Sequence, residues 1–99
     1  MLTFEKVLSV FHDYLGADPL YEVTLTSRGY TLLAWEPARN DWYNAKLAAT
    51  PGILVDKLLD AYADFLEDQI TASERDLTPS EAAEIEAKCK QLREQCRTA

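Results

Sequence analysis

YEVTLTSRGYTLLAWEPARNDWYNAKL, residues 21–47, is the stretch on which the fold turns. β-Branched and aromatic residues alternate with polar ones over three short runs, separated by Arg28-Gly29 and by Pro37-Ala38-Arg39-Asn40, which is the pattern of an antiparallel meander. With Arg28-Gly29 as a two-residue hairpin loop, Gly29 supplying the positive φ, Ser27 faces Tyr30, Leu25 faces Leu32, Val23 faces Ala34 and Tyr21 faces Glu36. A three-residue loop would set Leu25 against Thr31 and mix apolar with polar on both faces. The second connection, Pro37 to Asn40, sets Trp35 opposite Trp42, Ala34 opposite Tyr43 and Leu32 opposite Ala45. One face then holds Tyr21, Val23, Leu25, Leu32, Ala34, Tyr43, Ala45 and Leu47, an inner surface. The other holds Glu22, Thr24, Thr26, Thr31, Leu33, Trp35, Trp42, Asn44 and Lys46, polar around a tryptophan pair.

Both flanks of this meander read as helical. Before it, Phe4, Val7, Leu8, Phe11 and Leu15 recur at three- and four-residue spacing, which predicts a helix from about Leu2 to Leu15, capped by Thr3 and stopped at Gly16. After it, Thr50-Pro51 is a helix start, with a hydroxyl N-cap and proline at the first position, and the helix should run to about Thr71. Its apolar arc (Leu54, Val55, Leu58, Leu59, Ala61, Tyr62, Phe65, Leu66, Ile70) is too wide for one contact, so it should touch the sheet on one side and another helix beside it. Thr78-Pro79-Ser80-Glu81 is a capping box that opens a last helix over 79–97. There Ala82, Ile85, Cys89, Leu92 and Cys96 repeat at alternating three and four spacing, a coiled-coil-like seam of small side chains.

The predicted fold is therefore α+β, in the order α-β-β-β-α-α: a three-stranded antiparallel meander with two helices packed on one face and a further C-terminal helix. One domain over 1–99 is expected, with a core unit over 1–71 and the C-terminal helix over 79–97. Phe11, Leu32, Tyr43, Leu58 and Phe65 are the predicted meeting point of the helix stripes and the inner sheet face.

The chain has 99 residues, 47% hydrophobic, and a formal charge of −7, enough for one modest core. The negative charge opposes binding to nucleic-acid phosphates and anionic membranes, and leaves basic partners open. No apolar run approaches the roughly 18 residues of a membrane span, and Glu5 and Asp13 interrupt the first periodic segment, so a cytoplasmic location is expected. Cys89 and Cys96 lie about 10.5 Å apart along one helix at 1.5 Å rise per residue, too far to bridge, and are expected as reduced thiols within an apolar stripe.

His12 is the one histidine, so a Ser/His, Cys/His or His-rich metal site cannot be assembled within one chain. A helix-surface residue is the expected reading of His12, and no enzyme activity, metal or cofactor is predicted. Asp56, Asp60 and Asp64 form a ladder at i, i+4 whose mutual repulsion costs about 0.2 to 0.5 kcal/mol per pair. A solvated face, the docking of a basic partner, or a divalent metal would each account for it. A straight helix without loop oxygens makes a poor calcium cage. Leu33 with Trp35 and Trp42 reads as a cross-strand cluster covered by another element, as a protein-binding face, or as a stacking platform for nucleobases with Lys46 as its one cation.

The order helix, three-strand meander, helix over residues 2–71 is similar to the topology of the double-stranded RNA-binding domain. That family places a basic cluster at the start of its second helix, where this chain has Gly52, Ile53, Leu54, Val55, Asp56 and Lys57 after Pro51, so RNA binding does not carry over. Leu20-Tyr21-Glu22-Val23 with Ser27-Arg28-Gly29-Tyr30 and Trp42-Tyr43 resembles small accessory proteins encoded in mobile elements and phages of Gram-positive gut bacteria, a resemblance that implies no catalytic residues.

The expected function is a non-enzymatic protein-interaction or regulatory module. A nucleic-acid binder using the Trp35/Trp42 face and an acidic nucleic-acid mimic that sequesters a basic protein are the alternatives. Expected partners are proteins, among them basic ones, and a second copy of the chain. The seam Ile85, Cys89, Leu92, Cys96 suits an antiparallel homodimer, in which the acidic first half of the last helix meets the basic second half; the same seam suits folding back on the preceding helix.

Overall fold

A computed structural model describes residues 1–97; positions 98 and 99 of the expected domain lie outside the described residues. The elements are α1 (Phe4–Val10), α2 (His12–Ala17), β1 (Tyr21–Thr26), β2 (Gly29–Glu36), β3 (Asp41–Leu47), α3 (Pro51–Thr71) and α4 (Pro79–Arg97). The strands form one antiparallel sheet in the order β1-β2-β3, so the α+β order expected from the sequence is the observed one.

The first helix is broken in two at Phe11, whose backbone leaves helical geometry (φ −92°, ψ 5°). Hydrogen bonding carries across the break, from Phe11 N to Val7 O (3.0 Å) and from Leu15 N to Phe11 O (2.9 Å). The helix thus bends without opening, and Phe11 drops wholly into the core. Thr3 caps α1 as expected, its hydroxyl accepting from Lys6 N. The stop falls past Gly16, at Asp18. There the buried Asp18 carboxylate accepts from the Tyr14 hydroxyl (2.7 Å) and from Leu20 N (2.9 Å), clasping the end of α2 to the start of β1. A buried carboxylate persists only when so bonded.

The first hairpin is shifted by two residues from the expected register. Thr26 pairs with Gly29, Leu25 with Tyr30, Val23 with Leu32 and Tyr21 with Ala34, so the loop is Ser27-Arg28. Gly29 keeps its positive φ (126°) as the first residue of β2. Thr26 fixes this arrangement: its hydroxyl accepts from Arg28 N (3.1 Å) and donates to Gly29 O (3.0 Å), a local turn that competes with continued pairing. A two-residue shift preserves which face each side chain takes. It does carry Leu25 to the far tip of the sheet, where it is 65% exposed.

The second hairpin begins as expected, with Trp35 opposite Trp42 and Glu36 opposite Asp41, and then slips by one. Beyond the irregularity Ala34 pairs with Asn44, Leu33 with Ala45, Leu32 with Lys46 and Thr31 with Leu47, leaving Tyr43 as an extra residue, a β-bulge. One extra residue reverses the faces of everything after it. Ala45 and Leu47, expected inside, lie on the outer face; Asn44 and Lys46, expected outside, lie on the inner one. Tyr43, an expected core residue, is 54% exposed and Leu47 47%. The slip also turns Ala48 into the core, where it is buried, and brings Lys46 under the acidic side of α3. Thr31, expected on a polar outer surface, is buried on the middle strand between Thr24 and Leu47.

α3 and α4 begin and end where the sequence places them. Thr50 accepts from Ile53 N (3.2 Å), and the Thr78/Glu81 box is reciprocal, with Glu81 N donating to Thr78 Oγ1 (3.2 Å) and Thr78 N to Glu81 Oε1 (3.0 Å). α3 lies on β2, α1 packs beside it with Phe4 stacked on Tyr30 (centroids 4.7 Å apart), and α4 lies against both α3 and α1. Val7, Phe11, Leu54 and Leu58 are fully buried where these elements meet, and Phe65 packs against them half-buried. Leu58→Ala should cost about 2 to 5 kcal/mol, the usual range for emptying such a site, read from the midpoint of urea unfolding at unchanged slope.

The turn from α3 to α4 passes through two residues with left-handed backbone, Ala72 (φ 52°) and Ser73 (φ 59°). Neither is glycine, so each carries a steric cost of about 1 kcal/mol. Ala72→Gly should therefore raise stability by about 1 kcal/mol without changing the fold, measured as an upward shift in thermal midpoint.

Candidate functional site

Two surfaces gather the residues that the sequence marks as functional. On the outer sheet face Trp35 and Trp42 meet edge to face, centroids 5.0 Å apart and rings 78° from parallel, the geometry that the ring quadrupoles favour. The bulge adds Ala45 and Leu47 to this face, beside Leu33, and removes Lys46 from it. None of these apolar residues belongs to the core or packs against it. Trp42 remains 39% exposed. The cation that a nucleobase platform would have needed beside the tryptophans therefore points the other way, into a small cleft with Tyr43 and Asn44.

The second surface is a groove of about 580 Å³ between α3 and α4. It exists because the facing residues are small: Ala63 on α3 and Ala82 on α4 leave space that Leu59, Leu77, Ile85 and Cys89 line without filling. Past Ala82, the α4 seam packs on its own chain. Ile85 and Cys96 are buried, while Cys89 and Leu92 pack half-buried on the core of the same chain. Within the single chain α4 folds back on α3 and α1. Both cysteines are free, and burial pushes both thiols up from their ordinary value.

Two ion pairs fix the groove's frame. Arg75 in the connecting turn donates two 2.8 Å bonds to Glu81, fork to fork. That contact first, and the Thr78 backbone bond next, hold the Glu81 carboxyl down at about 2. Arg93 of α4 reaches Asp56 of α3 at 2.8 Å. The aspartate ladder of the sequence is thus divided: Asp56 serves helix packing, while Asp60 and Asp64 stand along the groove with Glu67. Among the described residues none of these three carboxylates has an ion-pair partner within 4 Å. Lys46 and Lys57 share a cleft of about 110 Å³ with Asp60 and Asp64 on the sheet side of α3, and Lys46 acts on Asp64 only at a distance. Across the groove stand Glu86, Lys90 and the already engaged Arg93.

His12 is exposed, its Nδ1 3.5 Å from Asp13, the surface position expected of it. Among the described residues no group of three or more His, Cys, Asp or Glu side chains is placed to hold a metal ion. No helix among them is long and apolar enough to cross a membrane. The Tyr14–Asp18 clasp has no counterpart in the sequence patterns above; burial first, and the Asp18 bond next, push the Tyr14 hydroxyl well above its ordinary value. Those patterns also miss the concavity, because paired alanines in two separate helices make a groove only once the helices are side by side. Compared with known protein families, curated proteins and solved structures, the chain matches none.

Asp64 feels its partial burial and, after that, its acidic neighbours. Burial first, then Asp60 and Asp68, raise its carboxyl above the ordinary range, with Lys46 pulling the other way. A carboxyl raised by folding favours the native state only while it keeps its proton. Its contribution is present below roughly pH 4 and is lost as pH rises through the native value. Asp64→Asn should accordingly be more stable than wild type at neutral pH, the gap closing as the solution is acidified below about pH 4, in urea melts taken across that range.

Proposed function

We propose that the chain is a non-enzymatic protein-interaction module, acting in the cytoplasm on a partner protein that carries positive charge. The observation that carries this reading is the α3/α4 groove, an apolar floor with three carboxylates along one rim that have no ion-pair partner among the described residues. Such a surface recognises by burial and complementary charge. The two free thiols suit a reducing compartment. The likeness to small accessory proteins of mobile elements fits a role of this kind, in which a small domain is carried for what it holds.

Nucleic-acid binding through Trp35 and Trp42 has less behind it now that Lys46 lies on the opposite side of the sheet and the net charge stands at −7. A homodimer, the other expected partner, would have to share the α4 seam with the packing of that helix on its own chain, where Cys96 belongs to the core cluster and Cys89 and Leu92 pack against it. The acidic-mimic reading shares the groove's carboxylates and differs in needing no apolar floor.

Affinity capture from the native host tests the proposal, using tagged full-length chain alongside Asp60→Asn/Glu67→Gln and Trp35→Ala/Trp42→Ala variants. A protein retained by wild type and by the tryptophan variant, but lost with the carboxylate variant, is the expected result. Retention of nucleic acid that weakens steeply with salt and disappears with the tryptophan variant would overturn it.

A further inference from the structure

We propose that the α3/α4 groove takes one amphipathic helix of a partner protein, its apolar side entering between Ala63 and Ala82 and its lysines or arginines lying along Asp60, Asp64 and Glu67. The inference rests on the interaction reading above and adds the form and chemistry of the occupant.

The form follows from the walls. Both are helices, whose backbone donors and acceptors are consumed internally, so the groove offers no free edge for an extended strand to pair with. What it offers is side-chain relief at helical spacing. Ala82, Ile85 and Cys89 lie three and four apart on α4, as Leu59 and Ala63 lie four apart on α3. A third helix laid in that furrow completes a three-helix layer, with alanines at the closest approach. From Ala82 to Arg93 the groove runs eleven residues of α4, about 16 Å at 1.5 Å per residue, or three turns of an occupant.

Its chemistry follows from the rims. Asp60, Asp64 and Glu67 recur at i, i+4, i+7 along α3 and all line the groove, Asp60 and Asp64 bordering the sheet-side cleft as well. Elsewhere on the same two helices the carboxylates that serve the fold are matched, Asp56 by Arg93 and Glu81 by Arg75. Asp60, Asp64 and Glu67 have no ion-pair partner among the described residues, and the carboxyl of Asp64 is raised first by burial and then by the neighbouring Asp60 and Asp68. Basic residues repeating at the same interval on an incoming helix would meet all three. The opposite rim is mixed, Glu86 and Lys90 with Arg93 already engaged, so the α3 side sets the preference for positive charge.

The test uses the full chain and a synthetic helical peptide of about 14 residues, leucine and alanine on one side and lysine at i, i+4, i+7 on the flank. A version with every lysine replaced by glutamate and one with a central proline serve as controls. Amide shifts in two-dimensional NMR should change at Ala63, Ala82 and Cys89 with the lysine peptide and not with either control. Each of Asp60→Asn, Asp64→Asn and Glu67→Gln should weaken binding by about two- to five-fold, and rising salt should weaken it further. Ala82→Trp, which fills the furrow, should abolish it. Three results would overturn the proposal: equal binding of the glutamate peptide, shifts confined to the Trp35/Trp42 face, or no binding of the lysine peptide at millimolar concentration. If the peptide fails while host capture still depends on Asp60 and Glu67, the groove reading stands and only the helical occupant falls.

Discussion

α3 has to bury two surfaces at once, and most of the structure is a response to that demand. Its apolar residues occupy more of the helix circumference than a sheet can cover. One part, with Leu54 and Leu58, goes down onto β2 and α1, while Leu59 turns toward α4. Neither half of the molecule can be discarded without leaving α3 partly bare. The burial involved is the dominant stabilising term available to a chain of this size. Capping at Thr50 and Thr78 fixes where the two long helices start. The Arg75–Glu81 fork and the left-handed Ala72–Ser73 pair fix how they return on one another.

Polar placement follows from the same demand. A helix packed on two sides has a narrow strip left for solvent, and α3 fills that strip with acids. Asp56 is neutralised by Arg93, and Lys46 approaches Asp64 from the sheet. The groove runs along this strip, so its acidic rim is the part of α3 that neither packing surface could absorb.

Local chemistry was readable from the sequence wherever it acts over a few residues. The starts of α3 and α4 come from threonine caps with proline at the first helical position, and these signals do not depend on what the helix later touches. The two-residue loop and the inner positions of β1 and β2 follow from alternation, and the alternation survived an error of two residues in register because side-chain direction repeats every two. The bulge at Tyr43 was beyond that logic. Uninterrupted alternation in Asp41–Leu47 favours Tyr43, Ala45 and Leu47 inward; what outweighs it is tertiary, the burial of Ala48 and the approach of Lys46 to the acids of α3. For the candidate site, the ladder Asp56, Asp60, Asp64 was visible as an oddity of charge, but its division into one structural member and two at the groove depends on where Arg93 lands. The seam of α4 showed equally well a surface that a helix could pack on; that α3 lies against it within the chain follows only from packing.

β3 is an edge strand with every residue exposed, and it carries two tyrosine- or tryptophan-sized side chains and a leucine. An unprotected edge of that composition is a template onto which strands of other molecules can add. The bulge at Tyr43 interrupts the regular row of donors and acceptors, and the inward-pointing Lys46 would be trapped without water if another strand closed over it. The irregularity that misplaces half of β3 relative to simple alternation thus also makes this edge a poorer template for a fourth strand.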